Sequence, residues 1–216
     1  MELGRIDVPS EEAIAVGDER AAPRFTLLIR AAKLIAPGGE FVCVIRDVSE
    51  IGVSLRGFHA LPAEGELWLE LQTGERYAIE PVWNRGLETG YQFIEPVEVA
   101  ALVAEVGQFP KRQLRLGMSI PVELAFIGGR VRAEIVNLSQ QGARIECDAL
   151  LAIDQPLRLC SGILPEVRAR VRWRSERQYG LVFDDTFTLS ELALFAAGAQ
   201  SPELLAQPAS AVSLRR

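Results

Sequence analysis

Arg20 and Arg24 stand four residues apart across Pro23, and further along Asp47, Ser49 and Gly52 fall in the pattern Asp-x-Ser-x-x-Gly. A guanidinium is a planar fork of donors that grips a phosphate with two parallel bonds. A carboxylate can steady such an arginine, a serine offers a small hydroxyl, and a glycine removes a side chain where ligand or backbone must come close. The same pieces recur as Lys111, Arg112 and Arg115, then Asn137, Ser139 and Gly142. Asp47 to Asn137, Ser49 to Ser139 and Gly52 to Gly142 are each separated by 90 residues. The chain therefore carries one ligand-site plan written twice, suited to a small anion held by a local cluster of cations.

Composition narrows the classes that remain. A chain of 216 residues is long enough for one large or two small domains, and an apolar fraction of 49% supplies a core. The start, Met-Glu-Leu-Gly-Arg-Ile-Asp, has no apolar signal core, and no run approaches the roughly 20 apolar residues of a membrane span. The expectation is a cytoplasmic protein without membrane insertion. Cys43, Cys147 and Cys160 sit among apolar residues and read as reduced, packed thiols. A single His59 and no Cys-x-x-Cys argue against a metal site. Charge is uneven: residues 15–108 hold 8 basic and 14 acidic side chains, residues 109–200 hold 12 and 10. A net charge of −6 argues against bulk binding to DNA or RNA, which needs a broad basic surface.

The elements that must position these residues follow from periodicity. Phe25 to Leu34 reads as a strand ended by Pro37-Gly38-Gly39. Phe41, Cys43 and Ile45 alternate, as do Ile51, Val53 and Leu55, which puts the Asp47–Gly52 stretch in a tight connection between two strands. Leu67, Leu69 and Leu71, then Tyr77 to Trp83, then Tyr91 to Phe93, supply three more strands. Pro96 to Val106 changes period and reads as a helix. The second half repeats the order, with Trp83, Gly90 and Phe93 mapping to Trp173, Gly180 and Phe183 at the same offset of 90, and with a second helix over Leu189–Ala197. This is a tandem duplication of a small antiparallel β unit, a barrel or a sandwich, each followed by a short helix. The boundaries expected are a tail over 1–17, units over 18–108 and 109–200, and a tail over 201–216 that is frayed or else holds a short amphipathic helix around Leu204.

Arg-x-x-x-Arg followed by Asp/Asn-x-Ser-x-x-Gly resembles the signature of PilZ domains, and the later Trp to Gly-x-x-Phe spacing is similar to that family too. The first unit carries both parts as Arg20, Arg24, Asp47, Ser49 and Gly52. The second carries Arg115, Asn137, Ser139 and Gly142, with Lys111 where the first arginine belongs and Arg112 beside it. The resemblance implies two six-stranded antiparallel barrels, each with a C-terminal helix. It also implies a receptor for cyclic di-GMP, with no catalysis and no cofactor, working through its domains or a protein partner. Guanidinium groups suit both the phosphates and the O6/N7 edges of such a ligand. Lysine keeps the charge but not the fork, so the first unit is expected to be the main site and the second a weaker one. The alternative is a tandem interaction module whose sites no longer take nucleotide.

Each residue also has a plainer role. Asp-x-Ser-x-x-Gly taken singly is an ordinary turn with glycine at positive φ. Trp83 and Trp173 read as core residues on strands, Cys43 as core, and His59 as a loop residue after Phe58. Arg168, Arg170, Arg172 and Arg174 share one face of a strand. They read as a solvated stripe paired with Glu134 or Glu146, or else as a surface for an acidic partner such as the first unit. No Ser/His/Asp set and no Gly-x-x-x-x-Gly-Lys loop is present to support an enzyme.

Overall fold

The computed structural model describes residues 25–103, 113–206 and 211–213. The first unit holds β1 (Phe25–Ala36), β2 (Gly39–Val48), β3 (Gly52–Gly57), β4 (Leu67–Glu70), β5 (Arg76–Arg85), β6 (Glu88–Phe93) and the short helix α1 (Val99–Val103). The second holds β7 (Arg115–Phe126), β8 (Gly129–Ser139), β9 (Gly142–Glu146), β10 (Pro156–Cys160), β11 (Val167–Ser175), β12 (Gln178–Phe183) and α2 (Leu189–Gln200). Then come α3 (Glu203–Ala206) and β13 (Ala211–Ser213). In the first unit β5, β4, β1, β2, β3 and β6 pair in that order, and β6 returns to β5. The second closes in the equivalent order, β11, β10, β7, β8, β9 and β12. Both are six-stranded antiparallel barrels, as the resemblance noted above implies.

Alternation along the strands explains the closure. Leu116, Met118, Ile120, Val122 and Leu124 are buried at every second position of β7, and Ala143 and Ile145 do the same on β9. Such side chains each contribute about 1.5–3 kcal/mol when fully buried. The first hairpin turns through Pro37-Gly38, with Gly39 at φ 137°. Its counterpart turns through Ile127-Gly128, with Gly128 at φ 108°. Cys43 is fully buried, and desolvation pushes its thiol pKa up, in keeping with an inert core residue. None of the three cysteines is paired.

Several expectations need correction. Trp173 is 42% exposed and Trp83 is only partly buried, so neither ring is core. His59 lies in the loop after Phe58, as expected, and is buried there. The stretch from Ser201 is not frayed throughout: α3 is the short helix around Leu204 offered as the alternative, and β13 pairs with Trp83–Arg85 of the first barrel. The first helix begins at Val99, later than the periodicity predicts, and the rest of its expected span, residues 104–106, lies outside the described residues, while the second helix runs on to Gln200. Thr188 and Glu191 form a reciprocal cap at the start of α2.

The two barrels are joined through β2, β7 and α2. Val42 of β2 packs into the second core, while Ala197 of α2 packs into the first. Lys33, almost fully buried, holds Glu40 at 2.9 Å and Glu70 at 2.7 Å. Burial opposes the charge on Glu70, but Lys33 and Arg76 prevail and hold its carboxyl below the usual value. Gln200 clasps the Glu40 backbone, accepting from its N–H and donating to its carbonyl, both at 2.9 Å.

Among the described residues, the bonds of the arginine stripe stay within the second barrel. Arg168 pairs with Asp185 and Arg170 with Asp184, while Arg174 donates to the Leu151 carbonyl, so the expected partners Glu134 and Glu146 are not the ones used. A groove of about 570 Å³ beside it is lined by Arg130, Arg158 and Arg168. Each of these already faces a carboxylate on an exposed surface, where such pairs contribute little.

Candidate functional site on the barrel walls

The two turns that carry the repeated motif are built alike. Ser49 donates its hydroxyl to the Gly52 carbonyl at 3.3 Å, and Ser139 does the same to Gly142 at 3.0 Å. Both serines are buried, so their hydroxyl hydrogens are spent on closing the turn. The residues between them are used as well. Ile51 accepts from the Phe93 N–H at 3.0 Å and Gln141 from Phe183 at 2.9 Å. Glu50 and Gln140 accept in the same way from Val97 and Phe187, both at 2.9 Å. The motif thus ties the β2–β3 and β8–β9 connections to the chain that leaves the barrel toward the helix.

Gly52 and Gly142 have no positive φ; they are needed for close approach. A Cβ on Gly52 would stand 2.9 Å from the Tyr91 carbonyl oxygen, and one on Gly142 would overlap that of Leu181. Gly90 and Gly180 serve the tryptophans. A Cβ at either position would overlap the indole of Trp83 or Trp173, so each ring rests on the outer face of its barrel over a glycine.

Strand register joins these pieces into one row per barrel. In the first, Trp83 pairs with Gly90, Gly90 with Ser54, Ser54 with Asp47, and Asp47 with Thr26. In the second, Trp173 pairs with Gly180, Gly180 with Arg144, Arg144 with Asn137, and Asn137 with Gly117. Each row is flanked by register breaks on the same three ladders, at Pro81/Trp83, Ile45/Asp47 and Thr26/Arg30 in one barrel. The other breaks at Val171/Trp173, Ile135/Asn137 and Gly117/Ile120. Such irregularities re-aim side chains and are frequent beside binding sites.

Of the site residues expected from sequence, Asp47, Ser49 and Gly52 fall together, as do Arg115, Asn137, Ser139 and Gly142. Arg115 opens β7 directly opposite Ser139, which brings the cationic end and the turn of the second barrel into contact. Arg20, Arg24, Lys111 and Arg112 lie outside the described residues. Sequence reasoning missed Arg144. Its signal is the alternation of Gly142-Ala-Arg-Ile-Glu, which turns Arg144 outward between buried Ala143 and Ile145.

Comparison with known proteins bears on the second barrel first. A model of the PilZ domain family matches residues 110–196. No curated protein matches the chain. Among solved structures, PlzA of Borreliella burgdorferi in complex with c-di-GMP is 14% identical, covering 78% of this chain and 88% of its own, with a TM-score of 0.34. YcgR of Escherichia coli in complex with c-di-GMP is 12% identical, with coverages of 76% and 80% and a TM-score of 0.31. The inhibitor of motility MotI/DgrA of Bacillus subtilis is 15% identical, with coverages of 83% and 99% and a TM-score of 0.34. Among the described residues no helix is long and apolar enough to cross a membrane.

Proposed function

Residues 110–196 are a PilZ domain, and from that premise we propose that the chain is a cyclic di-GMP receptor whose two barrels change their relation, to each other or to a protein partner, when ligand binds. The observation that carries this reading is the placement of Arg115 opposite Ser139. It sets the first residue of β7 against the motif turn, and in this reading an anion is gripped between that turn and the cations that precede β7 in the sequence. The first barrel has the equivalent register, with Phe25 opposite Val48 and Thr26 opposite Asp47, and its entry segment bears the complete pair Arg20 and Arg24. In this proposal those two arginines supply most phosphate and guanine contacts, Asp47 steadies them, and the second site with Lys111 is the weaker. Each lost bidentate contact is worth about 1.5–3 kcal/mol, roughly tenfold to more than a hundredfold in affinity.

A specific feature favours a second reading for the first barrel. The Ser54 hydroxyl donates to Asp47 Oδ2 at 3.0 Å and accepts the Asp47 N–H at 3.1 Å, which engages the carboxylate without a ligand. In that reading the first barrel is an interaction module with a degenerate site. Calorimetric titration of the whole chain with cyclic di-GMP separates the two, comparing wild type with Arg20→Ala plus Arg24→Ala. A large loss of affinity in the variant supports the first barrel as the main site. Equal affinities remove it from that role, and no binding by the wild type overturns the receptor reading.

A further inference from the structure

The β7–β8 hairpin of the second barrel is the copy of the β1–β2 hairpin of the first, and the two have different surroundings. In the first barrel the end of α2 grips the hairpin. A Cβ on Gly38 would stand 2.7 Å from the Ser201 hydroxyl, and one on Gly39 would overlap Gln200. Gln200 holds the Glu40 N–H and carbonyl, and Val42 is fully buried. In the second barrel the equivalent Gly128 and Gly129 have open space around them, and Ile127 is 96% exposed. Arg130 and Arg132 stand exposed where Glu40 and Val42 are covered. β9 pairs with β8 only from Glu134 onward. Among the described residues, 129–133 therefore has β7 on one side and no strand on the other.

The ladder tells which groups that free edge presents. In an antiparallel pair, residues alternate between exchanging both backbone bonds with their partner and turning both groups the other way. Phe126 and Gly129 close the hairpin, so Leu124 and Val131 form the next bonded pair, and Arg130 and Arg132 turn their N–H and C=O groups outward. The first barrel agrees, since Glu40, the counterpart of Arg130, offers the same two groups to Gln200. We propose that this edge of β8 is a docking site for an extended, acidic segment of a protein partner, which adds to the sheet as a further strand. Outward N–H and C=O groups at alternate residues are the template for such an added strand. Arg130 and Arg132 set a guanidinium beside each, and a carboxylate at the facing position of the segment pairs with it across the strands. The Arg132 side chain has no partner among the described residues. Arg130 holds Glu123 at 2.7 Å, but on an exposed surface where such a pair contributes little, so a carboxylate of the segment can take its place. Ile127 at the tip gives the segment an apolar contact. A second copy of the chain fits worse, because pairing this edge with itself sets arginine against arginine.

The edge works without cyclic di-GMP, which is left out of every titration. The full chain is mixed with a short capped peptide of alternating glutamate and valine, and with the same peptide carrying lysine for glutamate. Fluorescence anisotropy reads the affinity, and amide exchange in the isotopically labelled chain reads the edge. In the free chain the Arg130 and Arg132 N–H groups are expected to exchange faster than that of Val131. The glutamate peptide slows both, and the lysine peptide does not bind. Arg130→Glu plus Arg132→Glu weakens binding at least roughly tenfold. Arg132→Pro removes an outward N–H that no strand of the barrel uses, whereas Arg132→Ala keeps it, so the proline variant binds the peptide more weakly than the alanine variant. The exchange readout needs neither variant. Binding that leaves Arg130 and Arg132 exchange unchanged overturns the proposal, and so does a wild type that binds no glutamate peptide. Equal affinities of the proline and alanine variants overturn strand addition, since charge alone would then hold the peptide. An oligothymidine bound more tightly than the peptide through the same arginines overturns the assignment to a protein segment. A dimer in sedimentation that separates when Arg130 and Arg132 are reversed overturns it in favour of a second copy.

Discussion

The Glu40 carboxylate of the first barrel accepts the Gly117 N–H of the second at 2.6 Å. Gly117 sits opposite Asn137, so the junction between barrels is fastened to β7, beside the strand that carries the second copy of the motif. Lys33 adds a bond to the Arg115 carbonyl at 3.4 Å, two residues nearer the entry segment. In the proposed receptor, a ligand that draws Arg115 inward would work against Lys33 and Glu40. Glu40→Ala is expected to lower stability by about 1–3 kcal/mol, since it leaves the Gly117 N–H and one side of Lys33 without a partner. It should also loosen the pair of barrels, seen as a larger radius of gyration in small-angle scattering. An unchanged melting temperature together with an unchanged scattering profile would show that this contact does not hold the barrels together.

Lys111→Arg supplies a fork at the one motif position where the second entry segment has a lysine. In the background of Arg20→Ala plus Arg24→Ala it is expected to strengthen cyclic di-GMP binding roughly tenfold, the worth of one additional charge-assisted bidentate grip on phosphate. If Lys111→Arg leaves the titration curve where it was, the entry segment of the second barrel offers the ligand nothing that a better fork can improve.

What can be read in the sequence is whatever is local or periodic. The turn Asp47–Gly52 and its copy are closed by bonds three residues apart, Ser49 to Gly52 and Ser139 to Gly142, and their residue types announce them. The strands follow from alternation, and the barrel order follows from the family the motif resembles. What cannot be read depends on register. Trp83 and Trp173 read as core because aromatic residues on strands usually pack inward; which face they take is set by the glycines across the ladder. Arg144 is one of many surface arginines until Gly180 and Asn137 are known to be its neighbours. The Glu40–Gly117 bond joins residues far apart in the chain, and nothing in either segment marks it.

Gly180→Ala tests the seating of Trp173. The added methyl overlaps the indole, so the ring must leave its place or the strand must shift. Overpacking of this kind costs about 1–3 kcal/mol, less where the displaced group can swing into solvent, as an exposed ring can. The expected outcome is a small drop in melting temperature and a red-shifted Trp173 emission. Gly90→Ala should destabilise more, because Trp83 is less exposed and is confined by Arg85 and β13. Equal effects of the two substitutions would contradict the difference in cover between the walls.

His59 is the only histidine of the chain, and it is buried. Its Nδ1 lies 2.7 Å from the Ala60 carbonyl and donates to it, and its ring meets Phe41 edge-on at 5.8 Å. Nε2 is buried without a partner. A second proton there would place a charge where no acceptor and little water can answer it. Desolvation accordingly lowers the pKa from the ordinary histidine value, with the bond to Ala60 opposing the shift. Between the lowered value and the ordinary one, about 6.5, the unfolded chain binds more protons than the folded one, so stability rises with pH across that window. The contribution is complete above the ordinary value and is lost as pH falls through the folded one. His59→Phe keeps an aromatic ring against Phe41 and removes the titration, while every carboxylate contribution stays common to both chains. Urea denaturation at intervals from pH 8 to pH 5 is expected to show the wild type losing more stability on acidification than His59→Phe. Parallel profiles for the two would mean that His59 titrates alike in the folded and unfolded chain, and that its burial does not hold it neutral.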